Sequence, residues 1–335
     1  MSLQRIFLLS SERSGSNLVR RILNRTKEIA GPPAPHLLKA FGPYWPFIKH
    51  NSENEERVAQ LALELLYDHL SPWDHKISKE SLISHLITHG WEFERICDFC
   101  YSEYARLEGK VGYMPKENYA FDYGFQLAHR FMDSKFIYLV RDPRDFALSY
   151  KKAPGGPKIA WVAAMQWLDE QRKCIQFRAV LSERTHTIRY EDLVQDPENA
   201  VKRLFAFLNL SYTPSVLQAD EASSETAKKS QYWGNLSKPI LSENANKFLQ
   251  ELSKKEIAHI EAVCRPIMLH LGYALHYESE QRAPGRIEQL WLTAKDRFLR
   301  RLVYKKRMVD DGELEVRIKR AQIYKEIQKI AGFRE

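Results

Sequence analysis

Residues 10–17 (SSERSGSN) bring hydroxyl groups, one arginine and one glycine together in a stretch that could bind an oxyanion. Arg13 supplies positive charge, and Gly15 lets the backbone bend closely around a ligand. The hydroxyls of Ser14 and Ser16 can donate hydrogen bonds. Apolar residues at helical spacing follow, and the first N–H groups of a helix lack partners and favour an anion. Taken alone, the stretch fits a phosphate-binding loop or an ordinary polar turn equally well.

A second arginine and a second serine follow the same order of elements later in the chain. Arg141 comes directly after the apolar run Phe136–Val140, and Ser149 lies about two helical turns further on. An arginine at the end of a strand and a serine on the next helix could converge on one phosphate in the crevice where open α/β sheets bind ligands. The two stretches together favour a ligand with two phosphate-like groups.

Two common nucleotide-binding motifs are absent from the first loop. The nucleoside triphosphate motif GxxxxGK[ST] needs a lysine before its serine or threonine, but SERSGSNL has one glycine and no lysine. The dinucleotide motif GxGxxG needs three glycines, and these are absent too. Both differences disfavour a nucleotide kinase and a dehydrogenase.

The elements that must position these residues are predicted by the neighbouring apolar runs. Residues 6–9 (IFLL) and 136–140 (FIYLV) have the length and bulk of buried parallel strands, and each leads through a polar loop into a helical pattern. Strand, loop and helix in this order predict an α/β fold with a central parallel sheet. Residues 36–110 have apolar side chains at helical spacing and are predicted to be largely helical.

The composition is that of a globular chain without an apolar run long enough to cross a membrane. The 335 residues are 44% hydrophobic and 28% charged, which suits one large or two modest domains. The apolar stretch near the N-terminus is too short for a signal peptide and leads into the first strand, so we expect a cytoplasmic location. No ligand spacing indicates a metal site, and none is expected.

The four cysteines are too few for a disulfide scaffold in a chain of this length. Cys97 and Cys100 form a CxxC pair, which could be redox-active or half of a zinc site. The surrounding stretch has the apolar spacing of one amphipathic helix, and no second CxxC or nearby histidine pair accompanies it. We therefore favour two buried cysteines on one helix face.

The net charge of +8 is concentrated near the C-terminus, where residues 282–335 hold 15 Lys or Arg against 8 Asp or Glu. This stretch is predicted to form helices with basic faces. Such faces could contact an acidic substrate, a peripheral membrane surface or a partner subunit of a homo-oligomer, or could belong to a solvated appendage. Because the excess charge is confined to this tail, no nucleic-acid partner is expected.

Four segments in order carry a resemblance to a known family: SERSGSNL, VRDPRDFALSY, TIRYEDLVQDPENAVKRLFAFLNL and residues 233–273. They resemble the 5′-phosphosulfate loop, the 3′-phosphate motif, the adenine-contacting segment and the late cofactor-covering loop of the sulfotransferases that use 3′-phosphoadenosine 5′-phosphosulfate (PAPS). The likeness spans about residues 5–273. Four motifs in the family's order are more specific than any one of them, because single short matches are common by chance.

The resemblance implies a three-layer fold with a central parallel sheet, like that of P-loop-containing nucleotide hydrolases, with helical insertions and a helical tail. It implies transfer of a sulfonate group from the co-substrate PAPS to an acceptor hydroxyl, or less readily an amine, by in-line displacement. It divides the chain into a sulfotransferase domain over residues 1–280, with a helical acceptor-side region over about 36–110, and a basic helical extension over 281–335. The alternatives are a P-loop-like small-molecule kinase and a catalytically inactive nucleotide-binding module.

The resemblance also assigns residues to PAPS. Arg141 and Ser149 hold the 3′-phosphate, Tyr190 contacts the adenine, and Lys238 in SKPI closes over the 3′ side. Five consecutive residues surround the 5′-phosphosulfate, namely Arg13, Ser14, Gly15, Ser16 and Asn17. The first and fourth of these are catalytic as well, because they stabilise the negative charge that develops on the departing bisphosphate.

The chain differs from this family at the residue expected to act as general base. A base is needed because the acceptor hydroxyl must lose its proton. In one branch of the family a glutamate follows the first helix, and by residue count Ala34 occupies that place here. His36 has a pKa suited to proton transfer near neutrality and is the leading candidate, with Glu28 as the weaker one. A purely structural role for His36 in this proline-rich loop stays open.

A second departure precedes Pro115. Relatives often carry a lysine two residues before that proline, where it helps to neutralise the leaving group, but this chain has Tyr113 there. Either Lys116 substitutes from the other side, or Tyr113 acts in its own way. The acceptor is open at this stage, since a small molecule, a carbohydrate, a lipid or a peptide would suit the sequence.

Overall fold

The computed structural model describes residues 3–43, 45, 56–73, 76–153, 155–218, 240, 242–277, 283–310 and 314–330. The strands are β1 (Gln4–Ser10), β2 (Ile29–Ala30), β3 (Gly112–Tyr113), β4 (Lys135–Val140) and β5 (Thr185–Arg189). The helices before β4 are α1 (Ser16–Asn24), α2 (Leu37–Phe41), α3 (Glu56–His69), α4 (Lys79–His89), α5 (Phe93–Leu107) and α6 (Gly124–Arg130). Those after β4 are α7 (Pro143–Lys152), α8 (Ala160–Val180), α9 (Tyr190–Gln195), α10 (Pro197–Leu208), α11 (Phe248–Glu251), α12 (Lys254–His270), α13 (Arg286–Asp310) and α14 (Leu314–Ile330).

The strands form a parallel sheet in the order β2-β3-β1-β4-β5. Gln4 of β1 lies opposite Gly112 of β3, and Phe136 of β4 lies opposite Thr185 of β5. The last five residues of β1 and the last five of β4 are all buried. Uninterrupted burial means that both faces of these strands are covered, which is typical of parallel strands between helices. The predicted α/β class with a central parallel sheet is confirmed.

The chain divides into two compact units, of which the first consists of the described residues in Met1–Leu8, Ile22–Lys135 and Asp311–Glu335. Within this unit α14 packs on α3. Ile323 and Ile327 of α14 are buried, and Arg320 forms an ion pair with Asp68 at the end of α3. The C-terminal helix is therefore part of the core of this unit.

The second unit consists of the described residues in Leu9–Arg21 and Phe136–Asp310. Its centre is the long helix α8, on which α7, α12 and α13 pack. The buried side chain of Arg144 on α7 forms ion pairs with Asp142 and with Glu261 of α12, so each of the three groups has a partner of opposite charge. The division into residues 1–280 and 281–335 that the sequence suggests stays a prediction.

Cys97 and Cys100 are buried on α5, and neither forms a disulfide. Burial raises the pKa of both thiols, which disfavours the thiolate that redox chemistry or metal binding requires. The interpretation of this CxxC pair as two structural cysteines is confirmed.

The basic tail forms two helices, α13 and α14, as the sequence predicts. Neither they nor any other helix in the described part of the chain has both the length and the apolar character needed to cross a membrane.

Candidate active site

The loop between β1 and α1 turns through two residues with positive φ. Arg13 has a φ of 68° and Gly15 a φ of 97°, a conformation that glycine adopts easily and arginine does not. The carbonyl of Gly15 accepts a hydrogen bond from the Leu18 N–H at 2.9 Å, which starts α1. A Cβ atom built on Gly15 would lie 2.4 Å from Cδ2 of Tyr190. Both the backbone angle and the available space therefore require glycine at this position.

Arg13 lies between two other residues that the sequence analysis singled out. Its Nε donates a hydrogen bond to Oγ of Ser149 at 3.1 Å, and its carbonyl accepts one from Nη1 of Arg141 at 3.0 Å. The structure thus brings together Arg13 after β1, Arg141 after β4 and Ser149 on α7. Two guanidinium groups and a hydroxyl at one place form a strong anion-binding arrangement.

Arg141 is 8% exposed and is held by its surroundings in one position. Its Nη2 donates to the carbonyl of Asn244 at 3.1 Å, and its guanidinium carbon lies 4.6 Å from the centre of the Tyr190 ring. Nε1 of Trp167 donates to the carbonyl of Arg141 at 2.9 Å, which fixes the backbone as well. This packing orients the guanidinium before any ligand arrives.

Two buried atoms of this cluster, Oγ of Ser14 and Nε of Arg141, have no hydrogen-bond partner among the described residues. Buried polar atoms are usually satisfied, because an unsatisfied one costs about 1–3 kcal/mol. An oxygen of a phosphate or sulfonate group could accept from both donors. Ser16 is buried at the first position of α1 and Asn17 follows it half-buried, where free helix N–H groups also favour an anion. The residues present fit a ligand with anionic groups.

Tyr190 begins α9 and is 5% exposed. Its hydroxyl accepts a hydrogen bond from Nδ2 of Asn244 at 2.6 Å, and burial raises the pKa of the phenol. Its ring lies against the guanidinium of Arg141 and occupies the space that a side chain on Gly15 would need. The predicted contact between this ring and an adenine stays a prediction.

Asn244 contacts both Arg141 and Tyr190, although the sequence analysis did not single it out. The segment after it is fixed by Asp145 of α7, which accepts hydrogen bonds from the N–H groups of Asn246 at 2.7 Å and Phe248 at 3.0 Å. Asp145 could have been found, because an acidic residue on the buried face of a predicted helix needs partners. No spacing or composition marks Asn244.

Lys238, which the resemblance places over the 3′-phosphate, lies outside the described residues. Its assignment stays a prediction.

His36 belongs to the first unit and directly precedes α2. It has a φ of 58°, and within the described part of the chain its buried Nδ1 has no hydrogen-bond partner. Burial, together with the charges of Lys116 and Lys39, lowers the pKa of His36 to about 3. The imidazole is therefore neutral at pH 7 and can accept a proton, but it is a weaker base than the sequence alone indicates.

Glu117 is a buried carboxyl group beside Lys116 that the sequence analysis did not single out. Its Oε1 accepts hydrogen bonds from the Leu37 N–H at 3.0 Å and the Tyr101 hydroxyl at 2.7 Å, and its Oε2 accepts one from the Leu38 N–H at 3.3 Å. Burial raises the pKa of Glu117 to about 7. The carboxyl fixes the first turn of α2 and with it the backbone next to His36.

Tyr113 is fully buried, and its hydroxyl donates to Oδ1 of Asp98 at 2.5 Å. Its ring packs against Phe7 and Tyr101 in the core of the first unit. A side chain in this position cannot reach a substrate, which leaves half-buried Lys116 as the candidate from this segment. Glu28, the weaker candidate base, is half-buried just before β2.

The chain matches two models of protein families. The model described as "Sulfotransferase family" matches residues 5–214, which is more than half of the chain. The model described as "Sulfotransferase domain" matches residues 162–270. Together the two matches contain the loop at Arg13, the cluster at Arg141 and Ser149, and Asn244.

Two solved structures share the fold. A sulfotransferase domain from the Curacin biosynthetic pathway is 24% identical, with a TM-score of 0.53 over 82% of this chain and 100% of that chain. A sulfotransferase domain from the Synechococcus PCC 7002 olefin synthase is 20% identical, with a TM-score of 0.58 over 82% of this chain and 97% of that chain.

Proposed function

Because this chain belongs to the sulfotransferase family, we propose that it transfers a sulfonate group from PAPS to an acceptor hydroxyl, or less readily to an amine. The observation that carries the proposal is the meeting of Arg13, Arg141 and Ser149 in the second unit. The two positive charges, together with the unsatisfied hydroxyl of Ser14 in the same loop as Arg13, match a nucleotide with anionic groups at both its 3′ and its 5′ positions.

The proposed binding roles follow from the chemistry of each group. Arg141 and Ser149 bind the 3′-phosphate, and Tyr190 lies against the adenine. Ser14, Gly15 and the N–H groups at the start of α1 surround the 5′ end, with Ser16 and Asn17 in the first turn of the helix. Lys238 is proposed for the 3′ side on the resemblance alone.

The proposed catalytic role of the loop is electrostatic. Bound PAPS supplies an activated sulfonate group and, as leaving group, a bisphosphate. Arg13 and Ser16 stabilise the negative charge that develops on the leaving oxygen, with the N–H groups of α1 acting in the same direction. Because these groups are fixed by the fold before the reaction, little reorganisation opposes it. We propose Lys116 as a further cation for the leaving group.

We propose His36 as the group that takes the proton of the acceptor hydroxyl. In support, its imidazole is neutral at pH 7, and its Nδ1 has no partner among the described residues. Glu117 has a pKa nearer to 7, but hydrogen bonds occupy both of its oxygens, so we assign it the positioning of the turn beside His36.

The experiment that tests the proposal follows the release of 3′,5′-bisphosphoadenosine (PAP) from PAPS with a panel of carbohydrate, lipid, phenolic and tyrosyl-peptide acceptors. We expect acceptor-dependent turnover that falls at least about a hundredfold in His36→Ala, while the affinity for PAP is retained. His129→Ala, which changes an exposed histidine, serves as the matched control.

Each alternative predicts a different outcome of this experiment. A P-loop-like kinase would consume ATP and leave PAPS intact, and the absence of lysine from SERSGSNL disfavours it. A catalytically inactive nucleotide-binding module would bind PAP without turnover on any acceptor. A rate that depends on His36 excludes both, whereas ATP-dependent transfer would overturn the proposal.

A further inference from the structure

Helix α13 carries a stripe of exposed apolar side chains along one face. The stripe consists of five residues at helical spacing, Ile287, Leu290, Trp291, Phe298 and Leu302. Their side chains are between 49% and 85% exposed. At 1.5 Å per residue the stripe is about 23 Å long, which is about four turns. A row of exposed apolar side chains of this length is a candidate interaction surface, because folded proteins rarely leave large apolar patches open to water.

On the opposite face of α13, Asp296 anchors the helix to the backbone just before α8. This residue is 2% exposed, and its Oδ1 accepts hydrogen bonds from the N–H groups of Lys158 at 2.6 Å and Ile159 at 2.9 Å, at the start of α8. Ile287 and Asp296 are nine positions apart, which corresponds to a rotation of about 180° around the helix. The stripe therefore faces away from the helix on which α13 packs.

Basic side chains flank the stripe on both sides. α13 contains eight Lys or Arg against three Asp or Glu. By helical spacing, Arg297 and Arg301 lie on one side of the stripe and Lys295 lies on the other, and all three are exposed. Nζ of Lys295 lies 4.6 Å from the centre of the Trp291 ring. An apolar centre rich in Trp, Phe and Leu with basic flanks is typical of a helix that lies in a membrane interface.

A cleft beside the start of the stripe extends this surface. It has a volume of about 1210 Å³, and its lining includes the cations Lys254 and Arg286 and the apolar side chains of Ile287 and Trp291. Lys255 also lines the cleft but forms an ion pair with Glu288 at 2.8 Å. Cationic and apolar groups side by side match molecules that join an anionic headgroup to acyl chains. The cleft and the stripe thus favour the same partner.

We propose that α13 docks the protein on an anionic lipid surface, with the stripe at the acyl-chain boundary and the flanking cations on lipid phosphates. The helix lies in the interface, because no described helix is apolar enough to cross it. A second copy of this chain fits less well, since pairing of two stripes would bring their basic flanks together. An acidic protein partner would pair with the cations but would not account for the exposed apolar side chains of the stripe.

Vesicle flotation tests the proposal with the full chain. We expect binding to vesicles of phosphatidylcholine mixed with phosphatidylglycerol, and little binding to phosphatidylcholine alone. The charge-reversal variant Arg297→Glu/Arg301→Glu and the apolar variant Trp291→Ala/Phe298→Ala should each lower the partition coefficient by about tenfold or more. Arg203→Glu and Ile87→Ala change an exposed cation and an exposed apolar residue elsewhere and should bind as wild type does.

Quenching by brominated lipids locates the stripe directly. The chain has seven tryptophans, so the quenching of wild type is compared with that of Trp291→Phe, which should lose most of it. Unchanged PAP affinity of the variants shows that they are folded. The proposal is overturned by equal binding to neutral vesicles, by wild-type binding of Trp291→Ala/Phe298→Ala, or by a dimer or an acidic-protein complex that this variant dissociates.

Discussion

Glu117 is a buried carboxyl group whose titration links stability to pH. Burial raises its pKa from 4.5 to about 7, so between these pH values the folded protein keeps a proton that the unfolded chain has lost. The contribution of this group to stability therefore decreases as the pH rises from about 4.5 to about 7. Each unit of pKa shift corresponds to 1.36 kcal/mol, so the loss is about 3 kcal/mol at most.

The first prediction concerns Glu117→Gln, which cannot titrate. Between about pH 5 and pH 8, the unfolding free energy measured with urea should fall by about 2 kcal/mol less in the variant than in wild type. Glu183→Gln, at an exposed glutamate, is the control and should follow the wild-type profile. A Glu117→Gln profile parallel to that of wild type would show that the carboxyl titrates normally.

Residue types and spacing predicted Arg13, Arg141 and Ser149 as members of one region, because each follows or lies near the end of an apolar strand. Asn244 could not be predicted, since its two contacts depend on where the chain returns after a long separation in sequence. The low pKa of His36 could not be predicted from the sequence for a similar reason. It results from burial and from Lys116, 80 positions away along the chain.

Among the elements, the loop between β1 and α1 depends strictly on the glycine at position 15. Any side chain at Gly15 would meet the ring of Tyr190 and would have to adopt a φ of 97°. The loop must then shift, and with it the carbonyl of Arg13 that accepts a hydrogen bond from Arg141.

The second prediction is that Gly15→Ala lowers the affinity for PAP by about tenfold or more and the unfolding free energy by about 1–3 kcal/mol. Calorimetric titration and urea unfolding measure the two effects. Gly109→Ala is a matched control, because Gly109 also has a positive φ of 68° but a Cβ there has no neighbour within 4 Å. Equal losses in the two variants would mean that backbone strain alone, without the contact to Tyr190, determines the effect.

The long strands β1 and β4 and the two tail helices could be predicted, because uninterrupted apolar runs and helical spacing are strong local signals. The strands β2 and β3 could not, since each is two residues long and is defined only by its partners in the sheet. Short segments of this kind carry no periodicity of their own.

For the whole molecule, the position of the tail is the least predictable feature. Charge concentrated over residues 282–335 suggests one appendage, yet α13 packs in the second unit and α14 packs on α3 in the first. Among the described side chains of α14, only two isoleucines are buried, and two apolar residues do not mark a buried face by composition alone. Ile323 and Ile327 are 7% and 3% exposed.

The third prediction is that Ile323→Ala/Ile327→Ala lowers the unfolding free energy by roughly 2–5 kcal/mol, because it opens space between α14 and α3. Thermal unfolding followed by calorimetry measures the loss. Ile318→Ala, on the exposed face of the same helix, should have little effect. If the double variant unfolds as wild type does, α14 is an independent extension, as the sequence alone suggests.

In the proposed function, Arg141 and Ser149 select a nucleotide by its 3′-phosphate. Calorimetric titration of wild type with PAP and with 5′-AMP, which differ only in that phosphate, measures this selectivity. Arg141→Ala removes the charge, and Ser149→Ala is a milder change that keeps the packing around Tyr190. Arg203→Ala, at an exposed arginine on α10, is the control.

We predict that wild type binds PAP about 30-fold or more tightly than 5′-AMP, and that Arg141→Ala abolishes this preference. Ser149→Ala should reduce the preference, and Arg203→Ala should leave it intact. Equal affinity of wild type for the two nucleotides, tight binding of ATP without binding of PAP, or an unchanged PAP affinity in Arg141→Ala would show that these residues do not form a 3′-phosphate site.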